Sequence, residues 1–286
     1  MTVHRDRPIR QLPDLTGPQV VELQDALLSN ADRLLTAALA VLEVDNVALS
    51  RSLVILALEE SGKAIALHQR RVQIAYAPEG EPFVNDRLNE LWANHKKKLE
   101  LVHQFLADEQ YWFAAEPPDP EANAAYLGAV KRWAERHDKF KQRGFYVDVS
   151  KSGQTMTPAK IDDEPSLRTV VEHVHQIGWQ LRLGEHIEAI SQAESAAAIL
   201  PASEADIEQA RQLYIDAGFD QDMIDELQAS QRAGRPGHVL NNDAYRLHLP
   251  VAGSDPFANF GKPGHEAESR ELLRLAGESG DVADAP

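Results

Sequence analysis

Apolar residues recur at alternating steps of three and four along five long segments, and this helical period constrains the fold more than any other feature. The segments cover about residues 17–43, 47–76, 85–113, 121–143 and 165–200. Ala and Leu dominate the first two hundred positions, whereas aromatic residues make up only 6% of the chain, and this composition favours helices over sheets. We therefore expect an all-α fold, an antiparallel bundle of about five helices within residues 1–200. Gly144 should end the fourth helix in a left-handed conformation, and Phe145–Val149 should form one short extended stretch.

The chain beyond residue 200 has a different character. Ser203, followed by Asp206 three positions later, resembles a weak capping box and predicts two shorter helices, a small appendage over residues 201–232. Gly, Pro, Asn and acidic residues predominate afterwards, which is typical of a flexible acidic tail over residues 233–286 with at most one short helix near 269–275.

The composition excludes several classes of function. The chain has no Cys, so disulfides, thiolate metal sites and cysteine nucleophiles are ruled out. The first fifteen residues lack the apolar stretch of a signal peptide. The longest apolar run, Leu53–Leu58, is far shorter than the roughly 20 residues that cross a bilayer. We expect a cytoplasmic protein with no membrane partner.

Charge restricts where a nucleic acid can bind. The formal net charge of −16 repels a phosphate backbone from most of the surface. The segment 131–143 is a local exception, because it carries six Lys and Arg residues and only two acidic ones. The run Lys96–Lys98 is by default a solvated helix face.

Polar side chains interrupt the apolar stripes of three consecutive helices. Glu60 and Lys63 interrupt the second helix, His95 the third and His137 the fourth. The two histidine-containing stripes consist of Leu88, Trp92, His95, Leu99, Val102 and Leu106, and of Tyr126, Val130, Trp133, His137 and Phe140. Burying an unpaired charge costs several kcal/mol, so these groups should be buried and paired with one another.

Two interpretations of these residues stay open. A histidine on an apolar face is more often a hydrogen-bonded core residue than a catalyst, and Glu59 with Lys63 four positions later would form an ordinary surface pair. Alternatively, the three helices bring their polar groups into one functional site, in which His95 and Lys98 share a face.

We expect no resident metal or cofactor. His173 and His175 are two positions apart and would point to different sides of a helix, which disfavours a metal site. Glu59 and Glu60 have no His three positions later and His95 has no Glu three positions earlier, so these residues do not form the Glu-x-x-His pair of di-iron bundles, and no Gly-rich phosphate loop is visible. Gly62 is better explained as a close-packing position within the second helix.

Three motifs in order carry a resemblance to a known family. They are Ala57-Leu-Glu-Glu-Ser-Gly-Lys63, Asn94-His-Lys-Lys-Lys98 and Lys141-Gln-Arg-Gly-Phe-Tyr-Val-Asp148. Over about residues 20–196 the chain resembles the AbiV family of abortive-infection proteins, which is assigned to the HEPN superfamily of helical bundles. The resemblance implies phage defence, in which an infected bacterium stops its own translation.

The resemblance also implies a chemistry. Many HEPN proteins dimerise and act as metal-independent endoribonucleases, with an Arg-x4–6-His motif at the shared cleft, and Arg132 and His137 fit that spacing. His137 would act as acid or base and Arg132 as phosphate clamp. Residues five apart on a regular helix point about 140° apart, so these two converge only if the helix is distorted or a second subunit contributes.

Two alternative active centres stay open, namely the neighbouring pair Arg136 and His137, or a site built from Glu59, Lys63, His95 and Lys98. Glu60 is a further catalytic candidate. The residues expected to contact RNA are Lys98, Arg136, Lys141 and Arg143. The expected partners are a second copy of the chain, host RNA or the ribosome, and a phage-encoded activator protein. The competing function is a non-enzymatic binding protein that sequesters a phage or translation component, with the buried polar residues serving structure alone.

Overall fold

The computed structural model describes residues 11–112, 117–158 and 164–248. Within these ranges most residues are helical, and the paired strands are one short hairpin and an isolated bridge between Ile199 and Arg235, which confirms the predicted all-α class. No helix in these ranges combines the length and the apolarity that a membrane span requires. The helices are α1 (Gly17–Leu42), α2 (Val47–Tyr76), α3 (Asp86–Ala93), α4 (His95–Asp108), α5 (Pro120–Leu127), α6 (Val130–Phe145), α7 (Glu164–Ala196), α8 (Glu204–Asp216) and α9 (Gln221–Ala233), and the strands are β1 (Asp148–Val149) and β2 (Thr155–Met156).

Helix α2 lies at the centre of the bundle, where α1, α4, α6 and α7 pack around it. Its apolar residues cover almost the whole circumference, and Val54, Ile55 and Leu58 are completely buried. A helix that is apolar all round is typical of a bundle interior. Four of its charged residues are accordingly buried, namely Arg51, Glu59, Arg70 and Arg71.

The third predicted helix consists of two helices, α3 and α4, which Asn94 separates. The side-chain oxygen of Asn94 accepts from the backbone N–H groups of Lys96 (3.0 Å) and Lys97 (3.3 Å). This N-cap competes with a continuous helix. His95 consequently lies in the first turn of α4, and its side chain is 59% exposed. The prediction that the apolar stripe buries His95 is wrong.

The fourth predicted helix is interrupted at Gly128. This residue has φ +81°, a conformation that favours glycine, and it separates α5 from α6. Tyr126 therefore lies in α5 and is 78% exposed, so its predicted place in the stripe is wrong. Trp133 and His137 in α6 are buried, as predicted.

Gly144 lies inside α6 and does not end it, contrary to the prediction, because α6 continues to Phe145. A Cβ at Gly144 would overlap Ser52 Oγ and the Ala48 carbonyl oxygen of α2. Glycine at this position permits close helix contact. The extended stretch is also shorter than predicted, because only Asp148–Val149 pairs with β2.

Helices α8 and α9 form the predicted appendage helices after the bundle. Ser203 Oγ accepts from the backbone N–H of Asp206 at 3.2 Å, so this capping interaction is as predicted. The two helices pack against each other. The division of the chain into a bundle and a separate appendage remains a prediction.

Residues 234–248, here named the C-terminal strap, pack onto the bundle. Leu240 and Leu247 are buried, and Asn242 donates side-chain hydrogen bonds to three carbonyl oxygens at the end of α2. The tail predicted to begin at residue 233 therefore begins too early. The rest of that tail, including the helix predicted near 269–275, lies outside the described residues.

Candidate functional site

A buried carboxylate joins three helices of the bundle. Glu59 on α2 is only 3% exposed. Its Oε2 accepts a hydrogen bond from His95 Nδ1 on α4 at 2.5 Å, and its Oε1 pairs with Lys141 Nζ on α6. Both carboxylate oxygens are thus occupied by cationic or proton-donating groups. This arrangement offsets the loss of hydration that burial of a carboxylate imposes.

Lys98 lies beside this carboxylate. Its side chain is buried, and this burial lowers the pKa of the ammonium, although the nearby charge of Glu59 opposes the shift. Within the described ranges, Lys98 forms no hydrogen bond or ion pair through Nζ. We refer to Glu59, His95, Lys98 and Lys141 as the Glu59 cluster.

Two glycines allow the three helices to approach closely enough to form this cluster. A Cβ at Gly62 on α2 would lie 2.8 Å from the Lys98 carbonyl oxygen on α4. Gly144 has the equivalent role between α6 and α2, where Ser52 Oγ also donates to the Lys141 carbonyl oxygen at 2.8 Å. The glycines in the first and third sequence motifs therefore place Lys98 and Lys141 near Glu59.

The prediction that Glu60 and Lys63 form the buried interruption of α2 is wrong. Glu60 and Lys63 pair with each other at 2.7 Å, and both side chains are partly exposed. Glu59 is the buried carboxylate, and it bonds to other helices rather than to Lys63. The reason is that four helices surround α2, so a single apolar stripe does not identify its buried face.

His137 occupies a different environment from the Glu59 cluster. It is 4% exposed, its Nδ1 donates to the Trp133 carbonyl oxygen at 2.8 Å, and the two rings have centroids 3.9 Å apart. Burial lowers the pKa of His137 to about 4, so its ring is neutral at pH 7. Arg132 is exposed on another face of α6, and one chain does not bring Arg132 and His137 together.

Two further histidines surround Trp133, and the sequence patterns did not single them out as a group. His103 donates through Nε2 to the Gly128 carbonyl oxygen at 2.7 Å. His173 on α7 has its pKa lowered to about 4, principally by burial. The ring centroids of His103 and His173 lie 5.6 and 6.4 Å from that of Trp133. His103 bonds to the break between α5 and α6 at Gly128, and the apolar period of the chain gave no sign of this break.

A second buried ionic network joins α1, α2 and α7. Arg182 is 3% exposed and pairs with Asp25 at 2.6 Å and with Glu185 at 2.9 Å. Gln24 also donates to Glu185, and Arg71 lies 3.9 Å from it. The interruption of the α7 apolar pattern by Arg182 is the sequence signal that would have found this network.

The residues predicted to contact RNA fall into two groups. Lys98 and Lys141 are buried at the Glu59 cluster, whereas Arg136 and Arg143 are exposed on the outer side of α6. In the part of the chain that the structure describes, no three His, Asp or Glu side chains come together as a metal-ligand group.

A comparison with protein families shows which family the chain belongs to. A family model described as AbiV, of the HEPN type, matches residues 19–179, which is more than half of the chain. Searches of curated proteins and of solved structures each return no match. The matched region contains α2, α4 and α6, and it therefore includes the whole Glu59 cluster.

Proposed function

The chain belongs to the AbiV family of HEPN-like proteins, and from that premise we propose that it is an abortive-infection effector that cleaves RNA without a metal ion at the Glu59 cluster. The observation that carries this proposal is the pairing of buried Glu59 with His95, whose side chain is 59% exposed. A buried acceptor thus fixes a histidine that reaches solvent. The proposed targets of the protein are host RNA or the ribosome.

The pairing suits His95 to act as a general base. Because Glu59 Oε2 accepts from Nδ1, a neutral His95 carries its proton on Nδ1 and presents Nε2 with a free lone pair. A carboxylate that fixes the tautomer of a histidine in this way also stabilises the protonated ring that forms during catalysis. His95 Nε2 then removes the proton from a ribose 2′-hydroxyl.

The remaining cations suit the phosphate. The deprotonated 2′-oxygen attacks phosphorus, the bond from phosphorus to the 5′-oxygen breaks, and the leaving oxygen takes a proton from Lys98. The lowered pKa of Lys98 makes it a stronger acid than an ordinary lysine. Lys141 compensates the negative charge of Glu59 and of the phosphate. The products are a 2′,3′-cyclic phosphate and a 5′-hydroxyl end.

A second copy of the chain and a phage-encoded activator complete the proposal. HEPN domains commonly dimerise, and the exposed position of Arg132 leaves it able to reach a partner chain. A homodimer would therefore supply Arg132 to a shared cleft. A phage-encoded protein would act as the trigger that exposes or assembles this cleft.

Incubation of the purified protein with total bacterial RNA in EDTA tests the proposal. Wild type is compared with His95→Ala, and His186→Ala is the matched control, because His186 is an exposed helical histidine outside the cluster. We expect discrete fragments with cyclic-phosphate ends from wild type and from His186→Ala, and intact RNA from a folded His95→Ala protein. Equal fragmentation by wild type and His95→Ala would refute the assignment.

The non-enzymatic alternative is supported by a separate observation. Glu59 forms an ion pair with Lys141 and a hydrogen bond with His95, and His137 is neutral and buried, as expected for groups that only stabilise the bundle. On this account the protein sequesters a phage or translation component, and no variant cleaves RNA. Growth arrest that persists in His95→Ala cells, with RNA intact in both strains, would favour this alternative.

A further inference from the structure

The outer side of α6 carries a continuous basic stripe. Its four members are spaced by four, three and four positions, so they lie on one face of the helix. They are Arg132, Arg136, Lys139 and Arg143. All four are exposed, and none forms an ion pair with the residues that the structure describes. The stripe extends over about 16 Å of helix rise.

This stripe stands out against the charge of the whole protein. The chain has a formal net charge of −16. Four cations without ion pairs on one helix face therefore make the local surface charge positive. The acidic residues of α6 are otherwise engaged: Glu135 lies 3.7 Å from Lys96, and Asp138 lies 3.4 Å from Lys141. The stripe therefore attracts polyanions that the rest of the surface repels.

Exposed aromatic residues continue the stripe at its C-terminal end. Tyr146 follows Arg143 by three positions and is 68% exposed, and the neighbouring Phe145 is 41% exposed. Tyr146 and Arg143 line an open groove of about 680 Å³ against the β1–β2 hairpin, together with Asp148, Gln154 and Met156. A ring at the mouth of a groove is suited to stack on an unpaired base.

We propose that the basic stripe and Tyr146 form a binding site for single-stranded nucleic acid. The cations contact successive phosphates, and a base stacks on Tyr146 within the groove. A duplex does not satisfy this site, because its bases are already stacked on one another. The site extends the proposed function by naming an unpaired strand as the target, but binding here does not require cleavage.

The position of the stripe makes it distinct from the Glu59 cluster. Lys141 points toward Glu59 on the buried side of α6, whereas Arg143 is two positions further on and therefore about 160° away around the helix. A strand on the stripe of one chain does not reach the cluster of that chain through α6. The stripe is thus a docking site on the opposite side of α6 from the cluster of its own chain, and a strand held there reaches a cleavage centre only on a second copy.

Fluorescence anisotropy of the full chain in EDTA tests this inference. The probes are labelled 12-nucleotide strands of 2′-O-methyl RNA and of DNA, which lack the 2′-hydroxyl nucleophile, and a duplex of the same length. We expect one or both single strands to bind more tightly than the duplex and to lose affinity as salt rises. The comparison between RNA and DNA shows which sugar the site accepts.

Two substitutions with matched controls connect the binding to the stripe. Arg136→Glu should weaken single-strand binding by at least tenfold, whereas Arg33→Glu, the same charge change at an exposed site on α1, should have a much smaller effect. Tyr146→Ala should weaken binding roughly tenfold. Tyr126→Ala should leave binding unchanged. Tyr126 is also well exposed, at 78%, but it lies in α5, near the N-terminal end of α6 and away from the groove.

The outcomes separate this inference from the proposed function. Binding that is equal for duplex and single strands, or that is unaffected by Arg136→Glu and Tyr146→Ala, would overturn the inference, as would the absence of binding to any probe. Wild type that cleaves RNA while the stripe variants bind normally would leave the cleavage proposal intact. If single strands bind through the stripe but wild type cleaves no RNA, the binding site is supported and the proposed nuclease activity is refuted.

Discussion

The charge of Glu59 depends on neighbours from two other helices. A carboxylate that is 3% exposed has lost most of its hydration, and His95 and Lys141 replace it. Glu59 in turn compensates the positive charges of Lys141 and Lys98. Glu59 therefore stabilises both ammonium groups, whereas the charges of Lys98 and Lys141 disfavour each other.

A double-mutant cycle on Glu59 and Lys141 measures this mutual dependence. We expect Glu59→Gln and Lys141→Met each to lower the free energy of unfolding by about 3 kcal/mol, because each removes the main countercharge of a buried ion. Among the residues that the structure describes, Glu59 then keeps only its bond to His95, and Lys141 keeps only Asp138 at 3.4 Å. The double variant should lose about 2 kcal/mol less than the sum. Urea unfolding provides the values. Strictly additive losses would show that Glu59 and Lys141 do not interact as the structure describes.

The histidines around Trp133 predict a loss of stability in acid. His137 has a pKa of about 4 in the folded protein, below its ordinary value near 6.5, so the unfolded chain binds more protons between these values. The contribution of neutral His137 to the free energy of unfolding is therefore fully present above pH 6.5. It is lost as the pH decreases to 4, and the loss amounts to about 3 kcal/mol. His173 on α7 adds to the loss, while Arg136 and Arg51 also disfavour protonation of His137.

Substitution of His137 identifies its share of this acid loss. His137→Phe keeps an aromatic ring against Trp133 and removes the titrating group, so its stability should fall less steeply between pH 6.5 and 4 than that of wild type. His186→Ala removes an exposed histidine and should leave the curve unchanged. Thermal unfolding across this range is the measurement. An unaltered slope in His137→Phe would mean that His137 does not titrate in this way.

At the scale of elements, the approach of α4 and α6 to α2 decides whether the cluster exists. A Cβ at Gly62 would lie 2.8 Å from the Lys98 carbonyl oxygen, and a Cβ at Gly144 would overlap Ser52 Oγ. In an open helix position, alanine stabilises a helix relative to glycine by about 1 kcal/mol. At these two crossings the added methyl group must instead push the neighbouring helix away.

Gly62→Ala should therefore destabilise the protein and weaken the pairing of Glu59 with His95. The control is Thr36→Ala, which introduces alanine at an exposed position of α1 and should leave stability nearly unchanged. Urea unfolding reports stability, and the NMR signal of the His95 ring reports its hydrogen bond. A more stable Gly62→Ala protein would show that the crossing has room for a methyl group.

The sequence predicted some elements well and missed others for definite reasons. Long apolar periods bounded by proline and glycine predicted α2 and α7 closely. The breaks at Asn94 and Gly128 were missed, because one cap or one left-handed glycine interrupts a helix without disturbing its apolar period. Periodicity also favoured Glu60 over Glu59, since a helix surrounded by four others has no single buried stripe.

The polar members of the site were predictable as residue types but not as a geometry. The motifs brought His95, Lys98 and Lys141 forward together with Glu59. The pairing of Glu59 with both His95 and Lys141 depends on two helix crossings, and residues far apart in the chain determine these crossings. The basic segment 131–143 was visible in the sequence, whereas its division into buried Lys141 and an exposed stripe required the fold.

At the scale of the whole molecule, the C-terminal strap holds the far end of α2. The Asn242 side-chain amide donates to the Ile74, Ala77 and Pro78 carbonyl oxygens at 2.8, 2.9 and 3.1 Å. The Ile74 and Pro78 oxygens also accept from the backbone N–H groups of Ala77 and Glu81, so the Asn242 amide adds a second donor at these two positions. The strap therefore links residues beyond the matched family region to the central helix of the bundle.

Asn242→Ala should lower the free energy of unfolding by about 1–3 kcal/mol, because it removes the side-chain hydrogen bonds to the Ile74, Ala77 and Pro78 carbonyl oxygens and the one accepted from the Gly80 N–H. Asn241→Ala is the matched control, since Asn241 donates only to the Tyr76 carbonyl oxygen at 3.1 Å and is exposed. Its effect should be clearly smaller. Equal losses in the two variants would contradict a specific role of Asn242.

The central claim is that the cleavage centre is the Glu59 cluster and that His137 is a core residue. The most direct test is the rate at which a defined labelled RNA is cleaved in EDTA by folded wild type, His95→Ala and His137→Phe. We predict a loss of at least a hundredfold in His95→Ala and a rate within a few-fold of wild type in His137→Phe. Cleavage that survives in His95→Ala and disappears in a folded His137→Phe protein would contradict the claim.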